Sequence, residues 1–356
     1  MTVVPGSMPR IILSFLCNTA DNCFAFFEVV MKRKVTYPGW LSAALKIALG
    51  LLFFGLIYQE LSEDATLGER LRSLGARWNS PARYWLLLAV ALMPFNIGLE
   101  SLKWRKLLWG MIPMPALTGL KAVLTGLTVS LFTPNRIGEF AGRILYLPPR
   151  HRIAGIFATF MGSLAQYVIY WLGALAALLY SSSTLPFLSN WRWVLILLAV
   201  LASVLWLLLY FRATALVHRL KSWKYGNRWL RYLLLSGRYS TTQLRQVLGV
   251  AALRYLIFSS QLYALMLFTG FPPDIVKAVT LIPLLFLAQT LVPSFVLTDL
   301  GVRGGLALLL FEPWAGSAVL ALLPSYLLWG MNIIFPALLG WFSLIQLRLQ
   351  DVWVGR

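Results

Sequence analysis

Repeated runs of roughly 20 apolar residues, separated by short polar breaks, constrain this chain more than any other feature. Bilayer hydrocarbon is about 30 Å thick and takes about 20 apolar residues per helical crossing. Hydrophobic residues make up 59% of the 356 positions and charged residues 12%, against about 25% charged in soluble domains. The composition excludes a water-soluble fold. The expected class is an all-α polytopic membrane protein with about six full transmembrane helices.

The chain carries 31 Lys and Arg against 12 Asp and Glu, a net charge of +19. In a soluble protein that excess would point to nucleic acid. Here the basic residues flank apolar runs and no soluble basic domain exists to carry such binding, so the reading is no nucleic acid. Basic residues clustered on one side of a set of spans follow the positive-inside rule, with anionic lipid headgroups as partners. Cys17 and Cys23 have no second pair with which to form a metal site. His151 and His218 sit in basic loops without a neighbouring acid or cysteine, which leaves metal ligation without support. No cofactor is expected.

Residues 10–30 are apolar but interrupted by Asn18, Asp21, Asn22 and Glu28, a poor span. Met31-Lys32-Arg33-Lys34 followed by the apolar run 40–58 looks like a cytoplasmic start and a signal anchor. Residues 1–30 therefore read as an upstream extension, and 31–356 as a single transmembrane domain. The mixed-charge segment with Glu60, Glu63, Asp64, Glu69, Arg70, Arg72 and Arg77 suits an interfacial helix on the outer side. Further spans are expected at 84–102, 153–180, 193–211, 247–271 and 317–347, with Lys103-Trp104-Arg105-Lys106 as a cytoplasmic interface anchor. The stretch 212–245 carries eight Lys and Arg and no acid. It reads as a cytoplasmic surface loop on anionic inner-leaflet lipids. Both termini of the domain then face the cytoplasm.

Two segments fit poorly as single crossings. Residues 116–147 begin and end beside basic residues, with Thr133-Pro134-Asn135 breaking the helix, so a re-entrant hairpin satisfies the topology. Residues 275–311 pose the same problem from the opposite side, with Pro293 and Gly301 expected to interrupt the run. Lys121-Ala122-Val123 opens one segment and Lys277-Ala278-Val279 the other. Together these features suggest an inverted-topology repeat of two halves, 84–180 and 247–347, in which broken helices form a substrate site near the midplane. Two ordinary helical pairs with a coincidental echo explain the same letters.

The first hairpin contains Pro134-Asn135-Arg136-Ile137-Gly138-Glu139-Phe140-Ala141-Gly142-Arg143. Helical spacing would put Arg136, Glu139 and Arg143 on one face, leaving one net positive charge beside a helix start. Such a cluster favours an anion such as phosphate. A buried network that only pins the hairpin, or charges wetted in the headgroup layer, would have the same letters. The second hairpin places Asp299 and Arg303 four apart among Gly301, Gly304 and Gly305, a neutral pair that suits a structural role equally well. Gln166, Tyr170, Gln261, Gln289 and Asn332 are polar positions inside apolar runs, suited to lining a cavity or to interhelical hydrogen bonds.

At these two clusters the chain resembles the transmembrane region of lysylphosphatidylglycerol synthases and the wider flippase-like integral membrane family. The resemblance rests on Pro134, Arg136, Gly138, Glu139 and Arg143, and on Pro293, Gly301 and Arg303. It extends over residues 40–348. Many relatives carry a carboxylate just after the second glycine cluster, where this chain has Gly304 and Gly305. The resemblance implies a bacterial plasma (inner) membrane and handling of a phospholipid or polyprenyl-linked lipid. Arg136, Glu139, Arg143, Asp299 and Arg303 would then bind substrate, and Pro134, Gly138, Pro293 and Gly301 would shape the hairpins. The synthase branch raises the alternative of headgroup aminoacylation with a soluble transferase partner, or a scaffold for one. The sequence has no Ser-His-Asp set, metal cluster or phosphate-cradling loop of its own for such chemistry.

Overall fold

Among the described residues every regular element is helical. The computed structural model describes residues 67–133, 137–180, 191–220, 239–271, 274–292 and 296–346, together with Gly55 and Tyr58. These residues fall in one unit, Lys46–Arg356. The readings of 1–30, of the start at Met31 and of the first span lie outside the described residues, as do Pro134, Arg136, Pro293 and positions 221–238 of the basic loop.

Helix α1 is Leu67–Trp78, α2 is Arg83–Leu108, α3 is Ala116–Leu131 and α4 is Gly138–Ile144. A 3-10 turn at Pro149–His151 leads into α5, Arg152–Tyr180, which is followed by α6, Arg192–Leu220, and α7, Thr241–Thr269. Helix α8 is Ile275–Leu291, α9 is Val296–Ala315 and α10 is Ala318–Trp329. A π-helical turn, Gly330–Ile334, joins α10 to α11, Phe335–Gln346. Among the described residues five helices are long and apolar enough to cross a membrane: α2, α5 with its leading turn, the Trp193–Arg212 part of α6, α7, and the continuous Ala318–Gln346. They match the five spans expected within the described residues. At 1.5 Å per residue, α3 and α8, with 16 and 17 residues, reach only about 24–26 Å, short of a full crossing.

Local chemistry sets several ends. The Ser240 side chain accepts a hydrogen bond from the Gln243 amide, and Asp274 accepts one from the Val276 amide, capping α7 and α8. Gly270, at φ 90°, ends α7 in the left-handed conformation that glycine adopts without a Cβ clash. Arg77 donates from α1 to the carbonyls of Phe268 at 3.3 Å and Leu267 at 3.5 Å, placing a cation on the last turn of α7. Arg77→Ala is expected to cost about 1 kcal/mol, read as a lower thermal midpoint in detergent and faster amide exchange at the α7 C-terminus.

Helices α2 and α7 pack antiparallel over their lengths. Gln261 Nε2 donates to the Ala89 carbonyl at 2.9 Å, Arg254 meets Glu100 midway, and at the far end Lys106 Nζ reaches Gln246 at 2.9 Å. The chain reverses after Phe132, so that α4 lies antiparallel on α3, with Gly142 against Gly126 and Gly138 against Val129. Helix α9 folds back on α8 in the same way, and Arg303 reaches Gln289 at 3.0 Å.

The two halves exchange partners. Helix α3 packs on α11, where the Thr128 hydroxyl donates to the Ala337 carbonyl at 2.6 Å. Helix α8 packs on α5, where the Phe286 and Tyr170 rings lie 6.3 Å apart. Mapping α2, α3, α4 and α5 onto α7, α8, α9 and the α10–α11 pair therefore preserves the packing pattern. The map also holds at side-chain level. Asn96 and Arg254 are each the fourteenth residue of α2 and α7. Their partners Asn332 and Gln166 are each the fifteenth residue counted from Ala318 and from Arg152. The Lys-Ala-Val echo fares less well, because Val123 is fully buried and Val279 is exposed.

Four expectations need correction. Gly301 does not interrupt its segment, since α9 runs unbroken from Val296 through all three glycines to Ala315. A helical glycine costs about 1 kcal/mol relative to alanine, which burial in the bundle outweighs. Lys103 and Trp104 are not an interfacial anchor: α2 continues to Leu108, and the two residues are 2% and 1% exposed. Positions 212–220 and 241–245 of the basic stretch are helical ends of α6 and α7 rather than loop. Helix α4 has seven residues, too few for a helix dipole to dominate anion attraction, so side-chain charge must supply it.

Candidate functional site

Glu100 sits one helical turn beyond Asn96 on α2, on the face that reaches residues of α4 and α7. Its carboxylate is shared by three cations. Oε2 takes Lys103 Nζ at 2.7 Å, one turn along the same helix, and Arg254 Nη1 of α7 at 3.1 Å. Oε1 takes Arg143 Nη2 of α4 at 2.9 Å. The same Arg143 nitrogen pairs with Glu139, four residues earlier on α4. Arg254 Nη1 also donates to Gln166 Oε1 of α5 at 3.2 Å. The Trp104 ring lies beside the Arg143 guanidinium, 5.9 Å from its centroid.

Burial in this network is uneven. The side chains of Arg143 and Lys103 are 1% and 2% exposed, whereas those of Glu139 and Arg254 are 22% and 25% exposed. Glu139 and Arg254 therefore form its accessible edge, and Lys103 and Arg143 its floor. Two carboxylates face three cations, leaving an excess of one positive charge among the described residues. Arg143 Nε and Arg254 Nε are buried without an acceptor among the described residues, so within this set both guanidiniums retain unused donors.

Glu139 and Arg143 thus come together, but through Glu100 they join residues of α2, α5 and α7. Gly138 opens α4 and packs so closely on α3 that a Cβ would strike the Val129 backbone, while its amide donates to Thr133 Oγ1 at 2.7 Å. Arg136 lies outside the described residues. Asp299 and Arg303 form a second cluster. Arg303 Nε binds Asp299 Oδ2 at 2.8 Å, and Trp329 Nε1 of α10 donates to the same oxygen at 3.2 Å. Both partners are 12% exposed, and their bonds tie α9 to α8 and α10. An acid followed four residues later by an arginine occurs in equivalent helices of the two halves.

Sequence reasoning missed Glu100, Lys103 and Arg254. The available signal was an acid and an arginine within helical runs long enough to span, which are rare there because of the cost of inserting charge. Of the polar positions expected to line a cavity or to form interhelical hydrogen bonds, Gln166, Gln261, Gln289 and Asn332 form such bonds. Gln166 meets Arg254, Gln261 meets Ala89, Gln289 meets Arg303, Asn332 meets Asn96, and the Tyr170 ring packs on Tyr255 and Phe286. Among the described residues no group of three His, Cys, Asp or Glu is placed to hold a metal ion.

Comparisons of the chain with protein-family models, with curated proteins and with solved structures find no match. Sequence and structure together establish an all-α polytopic membrane protein with a charged network buried between its helices.

Proposed function

We propose that the protein is a flippase-like translocator that takes the anionic headgroup of a phospholipid or polyprenyl-linked lipid at the Glu100 network. The supporting observation is the five-residue ion cluster itself, with one cation in excess and its accessible edge formed by Arg254 and Glu139. Each ionised residue at the centre of a spanning helix costs about 2.5–3.5 kcal/mol on insertion scales, so retained clusters mark substrate paths. An exchange axis lying in the membrane plane would pass within about one turn of Asn96 and Arg254, putting the network near the midplane, where inverted repeats hold substrate. Arg143 and Arg254 contact phosphate, with Arg136 as a further cation, and Glu139 holds Arg143 in place until the headgroup arrives. Asp299 and Arg303 steady the opposite hairpin. The setting is a bacterial plasma membrane with both termini cytoplasmic and the 212–245 stretch on anionic inner-leaflet lipids.

Reconstitution into vesicles with a fluorescent anionic lipid tests this reading. Arg254→Gln, which removes an accessible cation, is expected to slow flip by about ten- to a hundredfold, the value of one charge-assisted hydrogen bond. Charge-neutralising changes at Arg136 and Glu139 are expected to abolish it. Flip rates equal to wild type in all three variants would reject the assignment.

A further inference from the structure

One helical turn from Glu100, Asn96 of α2 is 2% exposed and donates from Nδ2 to Oδ1 of Asn332 at 2.6 Å. Its own Oδ1 is buried with no hydrogen-bond partner among the described residues. The amide orientations follow by elimination. Asn332 Nδ2 donates to the Leu328 carbonyl at 3.1 Å, and a carbonyl can only accept. Asn332 must therefore turn its oxygen toward Asn96, and Asn96 must answer with its nitrogen. The Asn96 oxygen is left as an acceptor without a donor, which buried polar atoms rarely are. Asn332 sits in the π-helical turn, a distortion found often at functional sites. The Asn96–Asn332 pair is also the counterpart, in the other half, of the Arg254–Gln166 pair that belongs to the ion network.

We infer that Asn96 Oδ1 is a headgroup subsite that accepts a hydrogen bond from a hydroxyl, about 5–6 Å along α2 from the phosphate-binding cluster. This rests on the phosphate reading above and narrows the ligand to a phosphodiester whose headgroup carries a hydroxyl near the phosphate, from either a glycerol or a sugar. A headgroup of the same charge without hydroxyls leaves the oxygen unpaired, and a site built around a hydrogen bond discriminates against such a ligand.

The test compares the full-length protein in nanodiscs with phosphatidylglycerol and phosphatidylmethanol, which share charge and tails and differ in headgroup hydroxyls, by native mass spectrometry. Wild type is expected to prefer phosphatidylglycerol by about tenfold or more, and in Asn96→Leu the ratio is expected to fall to about one. Equal wild-type affinities, or an unchanged ratio in Asn96→Leu, overturn the subsite while leaving the phosphate site standing. Failure of wild type to bind either lipid overturns the phosphate site and the subsite with it. The wild-type ratio decides by itself where the variant does not fold. A third arm with a polyprenyl-phosphate sugar assigns the source: tighter binding than phosphatidylglycerol places the hydroxyl on a sugar, and weaker binding places it on glycerol.

Discussion

Glu100→Gln is expected to be the most damaging single substitution in the described part of the protein, lowering stability by about 3–5 kcal/mol. The side chain barely changes in size, so the effect is electrostatic. Glu100 holds Lys103, Arg143 and Arg254 with two oxygens. Without its charge, three cations face Glu139 alone, and Lys103, 2% exposed, has no carboxylate. Breaking a buried ion pair by removing one partner costs more than the pair contributes, because the other charge stays buried and uncompensated. The expected reading is a large fall in the thermal unfolding midpoint in detergent and loss of a monodisperse elution peak. Adding Lys103→Met removes one stranded cation and is expected to recover part of the loss. A variant as stable as wild type would show that the cluster is hydrated rather than desolvated.

Gly142→Val is expected to open the α3–α4 hairpin, with Gly142→Ala costing about 1–3 kcal/mol and valine more. A Cβ at position 142 would lie 2.6 Å from the Gly126 Cα, 2.7 Å from its amide nitrogen and 2.7 Å from the Thr125 carbonyl oxygen. All three are backbone atoms, so no rotamer change relieves the contact. Membrane helices gain little from apolar burial against apolar lipid and rely on close approach at small residues, so separating the two backbones removes the packing that holds the hairpin. Arg143 is the next residue on α4 and would move away from Glu100. The substitution should therefore weaken lipid flip as well as stability. Cysteine pairs across α3 and α4 that cross-link in wild type should fail to do so in the valine variant.

Much of the architecture was legible along the chain. Apolar runs of membrane length are a one-dimensional signal, so α2, α5, α6, α7 and the Ala318–Gln346 helix could be placed from hydropathy. Charge asymmetry suggested which segments could not be simple crossings, and α3 and α8 are indeed too short for one. The acid–arginine spacing on α4 and α9 was readable because residues four apart on a helix are neighbours.

The sequence by itself determined where the apolar helices of membrane length lie within the described residues, and the local pairs Glu139–Arg143 and Asp299–Arg303, because those depend on hydropathy and on spacing within one element. Only the tertiary structure decided that Glu100, Lys103 and Arg254 complete the first cluster, and that Asn96 faces Asn332. Glu100 and Arg254 are 154 positions apart, and their meeting depends on the antiparallel register of α2 on α7. The continuity of α9 through Gly301 was likewise undecidable from the letters, since the cost of a helical glycine is small beside what the surrounding helices supply. Periodicity reports which face of a helix is apolar, whereas the identity of the partner across that face is a property of packing in three dimensions.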